Sequence, residues 1–144
     1  MISSPAKNTN PNCAETFASL RLYGDDLVPG EISRLLQLEP ADSATKNLET
    51  ISSSGKSRRA PTGRWIFQTR GRVESNNLEL HIDWILDQIQ TLGGKLDTLP
   101  GVEKADIFCY WCSATGHGGP QFSPELMDRL AKNGLTLGLD LYFT

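Results

Sequence analysis

The pattern of hydrophobic and polar positions along the chain predicts five strands and three helices. Strict alternation, as in Ala18, Leu20 and Leu22, is typical of a half-buried strand. Apolar residues three and four apart, as in Leu78 and Ile82, are typical of one face of a helix. The predicted strands are 16–24, a short one within 41–48, 64–69, 105–113 and 135–143, and the predicted helices begin at Pro29, after Ser75 or Asn77, and at Pro124.

Loops and element ends follow from the remaining residues. Residues 1–15 are rich in Ser, Asn and Pro and are predicted to form a flexible tail. Residues 50–63 combine Ser, Gly and basic side chains, which predicts a mobile loop. The second helix should end or be interrupted at Gly93-Gly94, and the third should be capped by Ser123 and end before Gly134.

The order of the predicted elements defines a fold class. It reads β-α-β-β-α-β followed by one more α-β, which predicts an α+β fold: a ferredoxin-like split β-α-β sandwich with an additional C-terminal α-β unit. The helices are expected to pack on one face of the sheet, and residues 16–144 to form a single domain.

Composition narrows the class of protein. With 144 residues, 38% hydrophobic and 22% charged, the chain is expected to be a globular domain with a real core. The net charge of the whole chain is -3, which argues against a nucleic-acid-binding protein, because such proteins favour basic surfaces. No apolar run reaches the roughly 18 residues of a membrane span, and the N-terminus lacks the apolar core of a signal peptide. A cytoplasmic protein that does not contact membranes is therefore expected.

The three cysteines include a CYWC motif, Cys109 to Cys112, that superficially suggests a redox or zinc site. Residues three apart on a strand point to opposite faces, roughly 10 Å apart along the chain, whereas a disulfide needs α-carbons within about 7 Å. The other potential zinc ligands are scattered over the tail, a helix and a loop. We expect no disulfide, metal or cofactor here.

The glycine turn GHGGP, Gly116 to Pro120, is a more promising candidate. Gly116, Gly118 and Gly119 free the backbone to expose amides beside the N-terminus of the third helix, where an anion could bind. His117 adds a group that titrates near neutrality. The alternative is a tight strand-to-helix connection whose glycines serve geometry alone.

The middle of the chain is locally basic. Between Lys46 and Arg72 lie seven basic residues, among them Arg64, and a single acidic one. Such a segment could attract an acidic partner, a phosphate or RNA. The alternative is a solvated basic loop, and without an RNA-binding signature we expect no nucleic-acid partner.

The polar face of the predicted sheet is the last candidate. Alternation places Arg21 and Tyr23 of the first strand on the side of the sheet that carries Asp140 and Tyr142 of the last. Trp111 or Tyr110 joins them, depending on register. Because Tyr, Trp and Arg dominate the binding energy of protein interfaces, this face is a candidate docking surface. The alternatives are an ordinary solvent-exposed sheet face and a homodimer interface.

Three segments together resemble a known family. SLRLYGDDLVPGEISRLL, GRWIF and CYWCSATGHGGPQFSPELMDRLAKNGLTLGLDLYF are similar to the bacterial family called domain of unknown function 4279, over roughly residues 16–143. The resemblance implies no activity, cofactor or catalytic set. The positions that match the family pattern are Gly24, Asp25, Trp65, Trp111, Gly118, Gly119 and Pro120.

Three hypotheses for function remain. The first is a non-enzymatic binding module that acts on a protein partner through the sheet face or the glycine turn. The second is a regulatory domain that binds a small ligand or anion at Gly116 to Gly119 and nearby Arg residues. The third is an enzyme that uses His117 with Asp25 or Asp140, which would require these side chains to meet in one pocket.

Overall fold

The computed structural model of the protein describes residues 9–90 and 96–143. Its elements follow the predicted order, with an extra pair of short strands between the second strand and the third. The helices are α1 (Pro29–Leu36), α2 (Leu78–Ile89) and α3 (Pro124–Lys132), and a 3-10 turn spans Leu96–Thr98. The strands are β1 (Cys13–Gly24), β2 (Asp42–Ala44), β3 (Glu49–Ile51), β4 (Ser57–Arg59), β5 (Gly63–Gln68), β6 (Lys104–Ser113) and β7 (Thr136–Tyr142).

Five strands form one mixed sheet in the order β2-β5-β1-β6-β7. The central strand β1 is antiparallel to both β5 and β6, and β2 is antiparallel to β5. Strand β7 runs parallel to β6, as a strand reached through a helical crossover must. The mixed α+β class, with a five-stranded sheet and three helices, is confirmed.

The core lies between the helices and one face of the sheet. Leu20, Trp65, Ile107 and Trp111 on the strands are fully buried and share one cluster with apolar residues of all three helices. Burial of such side chains stabilises a fold by about 1.5–3 kcal/mol each. We call the covered side of the sheet the helix face and the other side the open face.

Side-chain caps set the beginnings of α2 and α3. The Asn77 side chain accepts a hydrogen bond from the Glu79 amide, and Ser123 Oγ accepts one from the Leu126 amide. Each cap satisfies an amide that the helix itself leaves unpaired. Both predicted starts are therefore confirmed, whereas the predicted end at Gly93-Gly94 lies outside the described residues.

A buried histidine ties α2 to the end of β5. His81 Nε2 lies 2.7 Å from the carbonyl oxygen of Ser75, and Nδ1 lies 2.6 Å from Thr69 Oγ1. Because a carbonyl only accepts, Nε2 carries the proton and Nδ1 accepts from the threonine hydroxyl. Burial lowers the pKa of His81, which favours the neutral ring near pH 7.

Two segments differ from the prediction. The sequence predicts a mobile loop over residues 50–63, but β3 and β4 form an antiparallel hairpin from Glu49 to Arg59, over most of it. The hairpin closes because Gly55 adopts a positive φ of 83° and the Ser52 amide donates to the Lys56 carbonyl at 2.8 Å. Its residues from Glu49 to Arg59 are all exposed, so no burial pattern marks these strands in the sequence.

The first strand also begins earlier than predicted, at Cys13. Asn10 exchanges hydrogen bonds with the Asn76 side chain, and the Asn12 carbonyl accepts from the Ala114 amide at 2.7 Å. These polar contacts anchor residues 9–15, which apolar patterning could not reveal. Residues 1–8 of the predicted tail lie outside the described residues.

None of the described helices is both long enough and apolar enough to span a lipid bilayer.

Candidate functional site

The open face carries a dense set of aromatic and charged side chains. Antiparallel register places residues of β1 directly opposite partners on β5 and β6, and directly opposite residues share a face. These side chains are partly exposed, whereas their neighbours along each strand are mostly buried. The principal members of the open face are Phe17, Arg21, Tyr23, Arg64, Asp106, Phe108, Tyr110, Asp140 and Tyr142.

Arg21 occupies the centre of the open face in a fixed orientation. Its Nε and Nη2 donate to the two carboxylate oxygens of Asp106 at 2.8 and 2.7 Å. The guanidinium carbon lies 4.1 Å from the ring centroid of Phe108 and 5.6 Å from that of Tyr23. A bidentate ion pair and contacts with two aromatic rings hold the planar guanidinium in place. The Arg21 side chain is nevertheless 27% exposed.

Three aromatic rings form a row beside this arginine, which we call the aromatic row. Phe17 and Tyr110 are stacked at 5.2 Å between centroids, and Tyr110 and Tyr142 lie 5.3 Å apart. The Tyr142 hydroxyl donates to Asp140 Oδ2 at 3.0 Å, and this hydrogen bond raises the pKa of Tyr142. The rings therefore support one another across three adjacent strands.

A second arginine pair lies toward the β2 edge. Arg64 donates from Nε and Nη2 to the two oxygens of Asp42 at 2.7 and 3.2 Å. This hydrogen-bonded guanidinium lowers the pKa of Asp42. Arg21 and Arg64 are thus both neutralised by a local carboxylate, and the open face has little net charge.

The register decides between Trp111 and Tyr110. Trp111 lies on the helix face and is fully buried, with its ring 5.9 Å from Phe143. Its indole N–H has no hydrogen-bond partner among the described residues. Tyr110 therefore takes the place on the open face that the sequence left to either residue, and Trp111 belongs to the core.

The glycine turn is held by hydrogen bonds to its own neighbours. Ser113 Oγ donates to the His117 carbonyl at 2.7 Å and accepts from the Gly116 amide at 2.9 Å. Gly118 has φ of +92°, and a β-carbon there would lie 2.7 Å from that of Asn12. The turn needs glycine at this position for close packing as well as for backbone geometry.

A carboxylate already occupies the N-terminal end of α3. Glu79 accepts from the Ser123 amide at 2.7 Å and from Ser123 Oγ at 2.8 Å. A cavity of about 620 Å³ lies beside this pair, lined by Asn10, Asn12, Gly119 and other mainly neutral groups. Since Glu79 makes the contacts that an anion would make, it opposes a second negative group at this position.

The structure separates His117 from Asp25, one of the two acidic partners that the third hypothesis names. His117 is exposed in the turn that follows β6, whereas Asp25 follows the far end of β1. A strand of this length separates its ends by roughly 35 Å. Asp25 instead bonds to Lys46 Nζ at 3.1 Å and Thr62 Oγ1 at 2.9 Å, which lowers its pKa. Asp140 bonds to Tyr142.

The cysteines lie as strand geometry predicts, on opposite faces of β6. Cys109 is buried against the helices, where desolvation raises its pKa to about 12. Cys112 lies on the open face, opposite Tyr142 of β7, and is partly exposed. In the part of the chain that the structure describes, no three His, Cys, Asp or Glu side chains are grouped as a metal site would require.

The basic segment is divided among local partners. Lys46 pairs with Asp25, Arg59 with Glu49 at 3.2 Å, and Arg64 with Asp42. Arg70 and Arg72 lie over the rings of Phe17 and Phe67. Five of the seven basic residues between Lys46 and Arg72 therefore have a carboxylate or aromatic partner of their own.

Sequence reasoning missed some members of the open face. Asp106 and Phe108 were not singled out, although alternation with Ile107 and Cys109 was a usable signal. Phe17 alternates with Ala18 in the sequence, but its stacking with Tyr110 depends on register. Asp42 had no signal, because a three-residue edge strand is too short for alternation to be read.

Comparison with known protein families identifies the family of the chain. The family model described as Domain of unknown function (DUF4279) matches residues 14–144. No curated protein matches the chain, and no solved structure matches it.

Proposed function

The chain belongs to the family described as Domain of unknown function (DUF4279), and from that premise we propose that it is a non-enzymatic module that binds a protein partner through the open face. The observation that carries this proposal is the preorganised cluster around Arg21. Its guanidinium is fixed by Asp106 and Phe108, and the Arg21 side chain remains partly exposed. We also propose a bacterial, cytoplasmic setting, which the family resemblance and the composition favour.

The chemistry of the open face suits a folded protein partner. Arg and Tyr side chains supply much of the binding energy in protein interfaces. Rigid side chains lose less conformational entropy on binding than free ones, and here stacking and ion pairs already hold them. The aromatic row beside two neutralised arginines would complement a flat partner surface of mixed apolar and polar character.

The strand order supports the finer fold proposal. Strand β1 lies between β5 and β6, which α2 connects, and β5 lies between β1 and β2, which α1 connects. Two interleaved β-α-β units of this kind are the arrangement of a ferredoxin-like split β-α-β sandwich, with α3 and β7 as the added unit. An experimental structure with another strand order would overturn this assignment.

Affinity capture with matched variants tests the partner proposal. We would immobilise the wild-type chain, a Tyr110→Glu variant and an Ile51→Lys variant, and compare the proteins retained from a bacterial lysate. Ile51 is 72% exposed on the β3-β4 hairpin, which makes it a control for surface change elsewhere. We expect one stoichiometric partner with the wild type and the control, and a loss of at least about 10-fold with Tyr110→Glu.

A direct footprint then locates the contact. Hydroxyl-radical labelling of the purified complex should protect Phe17, Tyr110 and Tyr142 relative to the free chain. Retention of the same partner by Tyr110→Glu, or labelling of all three rings at the free rate, would overturn the proposal. Recovery of the chain alone from repeated captures would count equally against it.

The cavity beside the glycine turn favours a second candidate, a small ligand. Its lining is mainly neutral, with Glu79 as the one charged member. The earlier expectation of an anion is therefore less well supported there than a neutral polar or cationic molecule. A thermal-shift panel tests this, since a ligand at 100 times its dissociation constant adds about 2.7 kcal/mol of stability. No shift with any class of compound would remove this candidate.

A further inference from the structure

Strand β7 forms one edge of the sheet and is unpaired on its outer side within the described residues. An edge strand presents unpaired amide and carbonyl groups that can pair with another chain. Strand β7 is seven residues long, whereas β2 at the opposite edge has three. The long edge is therefore the stronger template for pairing.

Except for one charged side chain, the β7 edge lacks the features that commonly block such pairing. Thr136–Tyr142 contains no proline or lysine, and Asp140 is its only charged residue. Its pairing with β6 runs without a bulge from Thr136 to Tyr142. Natural edge strands that stay unpaired usually carry one or more of these features, so this edge is poorly protected against association.

Exposed apolar side chains concentrate at the same edge. Leu139 and Leu141 are each 40% exposed on the helix face, and Phe143 continues the row at 43%. Four of the nine large hydrophobic side chains exposed in the described part of the chain therefore lie on or directly after β7, the fourth being Tyr142 on the open face. An exposed apolar patch of this kind marks an interaction surface.

Met127 extends this patch onto helix α3. Arg129 bonds to Asp83 and Asp87 of α2 at 2.9 Å each, so that side of α3 faces α2. Two residues along a helix correspond to a rotation of about 200°. Met127, which is 52% exposed, therefore points away from α2, toward the side on which β7 forms the edge.

We propose that the β7 edge pairs with β7 of a second copy of this chain, antiparallel around a two-fold axis, to give one continuous ten-stranded sheet. Centring the axis on Leu139 makes the strand self-complementary. Leu137 then faces the partner's Leu141, and Leu139 faces the partner's Leu139. Residues directly opposite in an antiparallel pair share a face, so the leucines form one apolar row across the junction.

The same register accommodates the single charge. Asp140 would face the partner's Gly138, which has no side chain, and Tyr142 would face the partner's Thr136. An axis centred on Asp140 would place two carboxylates directly opposite each other, which destabilises a sheet. Self-complementarity of one strand is what a two-fold interface requires, and it favours a second copy over an unrelated peptide.

Mass measurement of three chains tests the association. Light scattering after size exclusion should give the wild type at twice the chain mass of 15.8 kDa. Leu139→Lys would place two ammonium groups together at the axis and should weaken the dimer at least about 100-fold. Ile51→Lys, the same change on the exposed hairpin, should leave the dimer intact and control for solubility.

Cross-linking tests the register. In a Cys109→Ala, Cys112→Ser background, which removes the two thiols beside positions 139 and 142 on β6, Leu139→Cys should form an intermolecular disulfide on oxidation, because opposite α-carbons lie about 4.5–5.5 Å apart. Tyr142→Cys should not, since the two copies of that position would be roughly 20 Å apart. A wild type that stays monomeric at the highest concentration reached would overturn the proposal. So would a dimer that persists in Leu139→Lys, and a Tyr142→Cys cross-link would reject this register.

Discussion

The two faces of the sheet are built from the same strands but are stabilised differently. On β6, Ile107, Cys109 and Trp111 face the helices and are fully buried, whereas Asp106, Phe108 and Tyr110 face outward and are half-buried. The helix face depends on removal of apolar surface from water. The open face depends on hydrogen-bonded ion pairs and ring stacking among side chains that water still reaches.

This difference separates stability from recognition. On a covered face, shortening a side chain leaves a cavity that lowers the free energy of unfolding. The residues of that face are also unavailable to a partner. An open face whose side chains are already oriented contributes little to folding but can bind without further ordering. We therefore expect substitutions on one strand to have opposite consequences according to the face they alter.

The largest contrast is expected between two neighbours on β6. Ile107→Ala should lower the free energy of unfolding by about 2–5 kcal/mol, because it leaves a cavity under the helices. Phe108→Ala should cost about 1 kcal/mol, because its ring is half-exposed and mainly supports Arg21. Urea denaturation measures both. Equal losses would show that the open face is part of the core.

Thiol reactivity separates the same faces by chemistry. Native Cys112 should react with an aromatic disulfide reagent at pH 8, whereas Cys109 should react at least about 100-fold more slowly, because burial raises its pKa to about 12. The absorbance of the aromatic thiolate that the reagent releases measures the rate of each reaction. Cys112→Ser should remove the fast phase, and a fast phase that remains in this variant would contradict the assignment of faces.

Acid should weaken the helix face through His81. Burial lowers the pKa of His81 in the fold below its ordinary value of 6.5. Below pH 6.5 His81 is therefore protonated in the unfolded chain more readily than in the folded chain. The free energy of unfolding falls as pH decreases, by at most about 1.4 kcal/mol per pH unit.

The measurement is urea denaturation at pH 7.5 and 5.5. His81→Gln should reduce the difference between the two pH values, whereas His117→Gln, in the exposed turn, should leave it as in the wild type. An unchanged difference in His81→Gln would show that other groups cause the acid sensitivity.

The smallest effect is expected at Asp42 on the open face. Asp42→Asn removes one partner of the Arg64 ion pair, in which the Asp42 side chain is 55% exposed. Solvent screening limits the loss to about 0.5 kcal/mol, and 1 M salt should abolish it. Since Arg64 lowers the pKa of Asp42, the contribution should also fade as pH drops below 3.8. Urea denaturation with and without 1 M salt measures this loss. Arg64→Lys serves as the control, because it keeps the positive charge but removes the two-point hydrogen bonding to Asp42.

Prediction from sequence worked where one face of an element is buried. Alternation located β6, and helical spacing with the Asn77 cap located α2, because burial imposes a period on the residues. It did not work for the β3-β4 hairpin, whose residues are exposed on both sides. The early start of β1 was not predicted either, because hydrogen bonds of Asn10 and Asn12 hold the residues before it and polar contacts leave no hydrophobic period in the sequence.

For the candidate site, the sequence identified most of the residue types and the structure decided which of them meet. Arg21, Tyr23, Arg64, Asp140 and Tyr142 are on one face, as alternation and register require, whereas Asp25 and the glycine turn lie at opposite ends of β1. Their role in binding a partner stays a prediction.

The sequence by itself determined the order of the three helices and of the five strands of the main sheet, the family, and the side of β1 and β7 that faces the core, because these depend on local periodicity and on motifs. Tertiary structure alone decided that Tyr110 and not Trp111 completes the open face, that Glu79 occupies the end of α3, and that Asp106 fixes Arg21. Each of these depends on strand register or on the docking of distant segments, and no local pattern of residues encodes that.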